Sequence, residues 1–170
     1  MAISLTLQQY LSDRHIDYDT VVHEKTGSSS KTAEASHVPG SRLAKAVIIK
    51  DEDAYLMVVL PASHHLRLKE LQDMLHQHVE LANEKEITPL FSDCDEGAIP
   101  PLGMAYGLEV LVDESLSNGG DIYFEGGDHM TLVHMQTAEF EKLLGDSTHG
   151  HFSRHDRGDD TRNGFRFSHT

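Results

Sequence analysis

Apolar positions recur along this chain at two spacings, and the changes between them mark out its elements. Leu7, Tyr10 and Leu11 fall at helical intervals, and Thr6-Leu7-Gln8-Gln9 has the spacing of a capping box, so a first helix is expected from about residue 5 to 14. Tyr18 to His23 reads as a short strand. Thr26 to Ser30 is a polar turn that opens a helix through Ala35, stopped by Val38-Pro39-Gly40. Ala44 to Lys50 and Tyr55 to Leu60 are β-branched or aliphatic runs separated by Asp51-Glu52-Asp53, the pattern of neighbouring strands joined by an acidic turn.

Further along, Leu66, Leu68, Leu71, Met74 and Leu75 give an amphipathic helix. Residues 79–92 read as a short strand or turn and then a short helix. Strands are expected around Leu108 to Val112, Ile122 to Glu125 and Met130 to Met135, the last two flanking a bend at Gly126-Gly127-Asp128. Thr137 to Leu144 forms a final helix closed by Gly145. Strands alternate irregularly with helices, which predicts one mixed α+β domain around a curved sheet. After residue 145 the composition shifts to Gly, Asp, Arg, His and Ser with few apolar anchors, so 146–170 is expected to be a mobile polar tail beyond a domain of residues 1–145.

Length and charge narrow the picture. A chain of 170 residues, 38% apolar and without Trp, suits one domain with an aliphatic core. No apolar run approaches the roughly 20 residues needed to span a bilayer, and the N-terminus lacks a secretory pattern. The single cysteine, Cys94, excludes an internal disulfide framework and fits a reducing cytoplasm. The net charge of −14 is uneven. Residues 1–50 hold six Lys/Arg against five Asp/Glu, whereas residues 51–145 hold four against nineteen. Such an acidic body argues against extended nucleic-acid binding and against DNA as a partner. Local docking through the segment that carries Lys31, Arg42, Lys45 and Lys50 stays open.

Chemistry concentrates in Asp93-Cys94-Asp95-Glu96-Gly97-Ala98-Ile99-Pro100-Pro101-Leu102-Gly103. Consecutive prolines fix φ and remove two amide donors, and glycine lets main chain approach a ligand. The N–H groups of Gly97, Ala98 and Ile99 are therefore expected to point at a bound group, with no reactive side chain in the loop. Lys45, at the start of the Ala-Lys-Ala-Val-Ile-Ile-Lys run, is either a point charge for a phosphate or carbonyl, or a lysine that snorkels at a strand end. Cys94 stands among Asp93, Asp95 and Glu96, which disfavour a thiolate. Thirteen histidines invite a metal reading. However, His76 and His78 are two apart on a helix and diverge, and His149, His151 and His155 fall in the polar tail, so no metal or other cofactor is expected. His129 follows the glycine bend and serves either a ligand or the surface. No phosphate-binding glycine loop and no Gly-x-Ser-x-Gly elbow occurs.

Three segments, in order, resemble the YbaK/prolyl-tRNA-synthetase-associated domain family, which includes free-standing trans-editing aminoacyl-tRNA deacylases. They are Ala44-Lys45-Ala46-Val47, Gly97-Ala98-Ile99-Pro100-Pro101-Leu102-Gly103 and Gly126-Gly127-Asp128-His129, supported by His23-Glu24-Lys25-Thr26 and His37-Val38-Pro39-Gly40 upstream. The resemblance covers about residues 1–145 and implies an α+β domain with a largely antiparallel central sheet flanked by helices. It implies hydrolysis of the ester between a small, wrongly attached amino acid and the 3′ end of tRNA, with an aminoacyl-tRNA synthetase as a second partner. Lys45 and the Gly97 and Ala98 amides would then carry the catalysis. Substrate would be bound by His23, Thr26, Ile99, Pro100, Pro101, Gly127 and His129. A catalytically silent module that binds tRNA or a synthetase is the competing expectation, and a metal-dependent hydrolase the third.

Overall fold

The computed structural model describes residues 3–24, 32–33, 36–52 and 54–155. Helix α1 (Leu5–Asp13) buries Leu7 and Leu11, one turn apart, against the sheet. Its N-cap is Ser4, whose side chain accepts from the Leu7 amide at 3.2 Å, rather than the Thr6 expected from the capping-box spacing. Ser4 prevails because Gly126 receives its backbone amide at 2.8 Å, which places the cap two residues earlier.

Strands β1 (Asp19–Val22), β2 (Leu43–Lys50), β3 (Tyr55–Pro61), β6 (Glu109–Asp113), β7 (Asp121–Glu125), β8 (Thr131–Gln136) and β9 (Thr148–Gly150) lie in the order β1-β8-β7-β2-β3-β6-β9. The short strand β5 (Glu80–Leu81) also joins β2. Strands β2 and β3 form the antiparallel hairpin seen in the sequence, with Lys45 opposite Leu60. Asp51 closes its turn by accepting the Ala54 amide at 2.8 Å. The pairs β2·β7, β3·β6 and β6·β9 are parallel and the other pairs antiparallel.

Residues of β3 alternate between two cores, as strand pleating requires. Met57 and Val59 face α1 and helix α4 (Thr137–Leu144), with Phe140 and Phe124, while Leu56, Val58 and Leu60 face helix α2 (Leu68–Leu75), with Leu71 and Phe152. Helix α3 (Glu84–Ile87) is short and begins with a true capping box, Asn83 and Glu86 exchanging hydrogen bonds with each other's main chain.

Two boundaries differ from the sequence reading. The helix expected from Leu66 starts at Leu68, because His64–Leu66 forms strand β4. The polar tail expected from residue 146 instead contributes β9 and, antiparallel to β4, strand β10 (Ser153–His155). One aromatic decides this. Phe152 is fully buried, its amide donates to Asp113 Oδ1 at 3.0 Å and its carbonyl accepts from Arg67 at 2.6 Å. Burial of a single Phe is worth on the order of 2 kcal/mol, and the ladders satisfy the flanking backbone. Residues from 156 onward lie outside the described part.

The placement of the site follows from how β2 shares one edge. Leu43 and Ala44 pair with β7, whereas Ile49 and Lys50 pair with β5. Residues 45–47 lie between these two ladders.

Candidate active site

The gap beside β2 is a cavity of about 250 Å³, walled by Lys45, Ala46 and Val47 on one side and by Gly97, Ile99 and Glu125 on the other. That is slightly below the range for drug-sized ligands and suits a small polar group. Lys45 is half-buried and its Nζ donates to the carbonyl of His64 at 2.8 Å, so β4 fixes the ammonium at the cavity wall. The head group is engaged by a main-chain carbonyl rather than left to solvent alone.

The loop ahead of the prolines is held from two directions. The Asp95 amide donates to Gly127 O at 2.7 Å, and the Ala98 amide donates back to Asp95 O at 3.0 Å. Gly97 takes φ +82°, which lets the chain reverse there. The Ala98 amide, expected to face a ligand, is therefore occupied inside the turn. The amides of Gly97 and Ile99 have no partner among the described residues, and both residues line the cavity. Ala98, Pro100 and Pro101 are buried behind the loop and stiffen it rather than line the space.

The glycine turn is built with little tolerance. A Cβ on Gly126 would lie 2.4 Å from Ile3 Cγ2, and Gly127 has φ +119°. Asp128 shapes the bend, accepting from the Met130 and Thr131 amides at 2.9 and 2.8 Å and from Thr131 Oγ1 at 3.0 Å. His129 sits at φ +62° with its ring against Gly97 and its Nε2 donating to Glu96 O. His23 leaves β1 with Nδ1 donating to Glu24 O at 2.6 Å, and both histidines are buried. Thr26 lies outside the described residues.

Glu125 was not anticipated from the sequence. It ends β7, is 5% exposed, and has Oε2 accepting from Thr32 Oγ1 at 2.8 Å. Burial pushes its carboxyl above the usual range, partly offset by the Thr32 hydroxyl and by His23 and His129 nearby. The available signal was an acid continuing the apolar run Ile122-Tyr123-Phe124 directly ahead of Gly126-Gly127, and charged residues end other strands of this chain as well.

The other candidates lie elsewhere. Burial drives the Cys94 thiol up to about 11, with Asp93 adding to the effect and the Tyr106 hydroxyl at 3.2 Å opposing it. His78 and His149 pair with Glu80 and Glu141 at 3.6 and 3.2 Å. Among the described residues no group of three or more His, Cys, Asp or Glu is arranged to hold a metal ion. No helix among them is long and apolar enough to cross a membrane.

Residues 23–143 match the model of the aminoacyl-tRNA editing domain. This chain belongs to that family. The matched span of the editing domain opens at His23 and carries Lys45, the Gly97 loop and the turn at His129. Its fold is shared with solved structures of low sequence identity. One is the hypothetical protein APE2540, 20% identical, with a TM-score of 0.78 over 88% of this chain and 99% of the other. Another is described as a candidate trans-editing enzyme for prolyl-tRNA synthetase, 19% identical, with a TM-score of 0.74 over 88% and 95%. A third, from Marinobacter aquaeolei VT8, is described as a candidate signal transduction protein. It is 17% identical with a TM-score of 0.71, and only 30% of its length is covered. No curated protein matches the editing domain's sequence.

Proposed function

We propose that this editing domain is an aminoacyl-tRNA deacylase that acts in trans, hydrolysing the ester between a small, wrongly attached amino acid and the 3′-terminal ribose of tRNA. The observation that carries the reading is the pairing, across one small cavity, of a fixed ammonium with two unoccupied main-chain donors: Lys45 on β2 and the amides of Gly97 and Ile99. An aminoacyl ester is already an activated acyl group. Water attacks its carbonyl carbon, the oxyanion that forms accepts from the Gly97 and Ile99 amides, and the ribose oxygen leaves with a proton. Lys45 holds the terminal phosphate or the ester oxygen as a point charge. The cavity's size supports selection by exclusion, admitting small side chains and rejecting larger cognate ones. The likeness to a structure described as a candidate trans-editing enzyme for prolyl-tRNA synthetase supports a synthetase as the partner whose errors are corrected.

The test is release of labelled amino acid from a panel of mischarged tRNAs carrying alanine, cysteine, serine or threonine. Lys45→Ala is expected to slow release by about a hundredfold or more, the range seen on loss of one preorganised electrostatic group. If no ester in the panel is cleaved while tRNA binds saturably, the domain is a silent binding module and the proposal fails.

A further inference from the structure

Four buried side-chain polar atoms among the described residues have no hydrogen-bond partner, and three of them, His23 Nε2, Glu125 Oε1 and His129 Nδ1, belong to residues gathered around Glu125, which itself lines the cavity. His23 Nε2 lies 3.9 Å from Glu125 Oε1, too far for a hydrogen bond. The His129 ring packs on Gly97, which shares the cavity wall with Glu125. The protons in this cluster can be placed. A carbonyl only accepts, so His23 carries hydrogen on Nδ1 toward Glu24 O and His129 carries hydrogen on Nε2 toward Glu96 O. In the neutral imidazole the remaining nitrogen of each ring is an acceptor, and so is Glu125 Oε1. Three acceptors are thus buried together and nothing donates to them. Buried acceptors without a donor are destabilising, so the cluster calls for a donor.

We propose that Glu125 Oε1, His23 Nε2 and His129 Nδ1 bind the free α-ammonium group of the aminoacyl moiety, making the site selective for unblocked aminoacyl esters over N-acylated ones. This rests on the deacylase reading and names which esters it accepts. An ammonium is the complement of the cluster, with three donors and no acceptor. A water molecule would bring only two donors and set its own lone pairs among acceptors. Charge agrees with hydrogen bonding: Glu125 is anchored through Oε2 by Thr32, which leaves Oε1 to the ligand, and Asp128 is close enough to deepen the negative potential. With the α-nitrogen held behind Gly97, the acyl carbon, two bonds away beyond Cα, stands near the Gly97 and Ile99 residues that line the same cavity.

The experiment compares each charged tRNA of the panel with the same tRNA after N-acetylation of its amino group, for the unaltered protein and for Glu125→Gln. The unaltered protein is expected to cleave the free-amino ester at least tenfold better in kcat/KM. Glu125→Gln should remove most of that preference by slowing the free-amino ester alone. Equal cleavage of both esters, or an equal fall for both on substitution, overturns the proposal and leaves Glu125 a structural or proton-transferring group. If no ester is cleaved at all, the deacylase reading falls by itself. The cluster is then tested by calorimetric binding of 3′-aminoacylamino-3′-deoxyadenosine carrying each of the four amino acids, and of its N-acetyl form. Tenfold tighter binding of the free amine that Glu125→Gln abolishes sustains the proposal, and equal binding refutes it.

Discussion

The backbone amide of Asp95 donates to the carbonyl of Gly127 at 2.7 Å, so the proline loop and the glycine turn are one mechanical piece. Gly127 holds φ +119° in that piece, and a Cβ there would also stand 3.3 Å from Ser4 Cβ. Gly127→Ala should therefore cost about 1–3 kcal/mol, the usual toll of a non-glycine residue in a sparsely allowed conformation. The expected result is a lower Tm by thermal unfolding together with slower deacylation at temperatures well below that Tm. Slower turnover with an unchanged Tm would show that the turn tolerates the side chain and that the loss is local.

Phe152 supplies a second, separable prediction. It fills the core shared by Leu66, Leu71 and Leu111. Phe152→Ala should destabilise by about 3–5 kcal/mol, the cost of removing a large core aromatic. Truncation after Gly145 should do at least as much, since it removes β9 and β10 together. Chemical denaturation measures both. If the chain ending at residue 145 unfolds at the same denaturant concentration as the full chain, the packing around Phe152 contributes nothing to stability.

His134 joins three strands through carboxylates, its Nδ1 2.6 Å from Asp19 on β1 and its Nε2 2.9 Å from Asp121 on β7. Burial works against its charged form, but hydrogen bonds to Asp121 and Asp19 outweigh it and raise the imidazole's value. Hydrogen bonds from His134 and Gln136 lower that of Asp121. The raised imidazole stabilises fully below the unfolded histidine value of about 6.5, and its contribution is lost as pH climbs through the higher folded value. The lowered carboxylate contributes above about 4 and is lost as pH falls through its folded value. Hence the Tm difference between the unaltered protein and His134→Ala should be greatest near pH 5 and shrink above neutrality. Added salt should reduce it, because the network is largely exposed. A difference that is flat across pH would refute this assignment.

Glu125 should be costly to the empty protein. Its carboxyl is raised by burial, so the folded state holds the proton more tightly than the unfolded chain does. The penalty is absent below the unfolded glutamate value of about 4.3 and grows as pH rises through the folded one. Glu125→Gln should therefore match the unaltered protein in Tm at pH 4 and exceed it at pH 8. Lower stability at pH 8 would mean that the buried carboxylate is better compensated than its surroundings indicate.

Cys94 should resist alkylation. With its thiol near 11 and its sulfur against Tyr106, thiolate is scarce at neutral pH. Modification by iodoacetamide at pH 7.5 is expected to be far slower in the folded protein than in denaturant, and Cys94→Ser should keep full deacylation. Rapid labelling of the folded protein would contradict the packing.

Legibility from sequence was uneven for physical reasons. The β2–β3 hairpin and α4 were readable because each combines a clean period with its own punctuation: Asp51 at the turn, Gly145 at the helix end. The Gly97 amide could be expected from chain chemistry alone, but the loss of Ala98's amide to Asp95 depends on a turn held by the ties to Gly127 and His129. Phe152 was hidden because a single aromatic among polar residues carries no period. Glu125 was hidden because His23 and Thr32 are distant in sequence and meet it only through the fold, and the course of the turn that brings His129 near it is not written in its residue types. Ser4 displaced Thr6 as cap for the same reason, through its contact with Gly126.

Strand β10 has a consequence in time. The carbonyl that holds Lys45 belongs to His64 on β4, and β4 is paired by residues 153–155. During synthesis every other part of the cavity wall emerges before that partner does. A nascent chain stalled just short of β10 would therefore carry β4, and with it the carbonyl that anchors Lys45, without its partner strand.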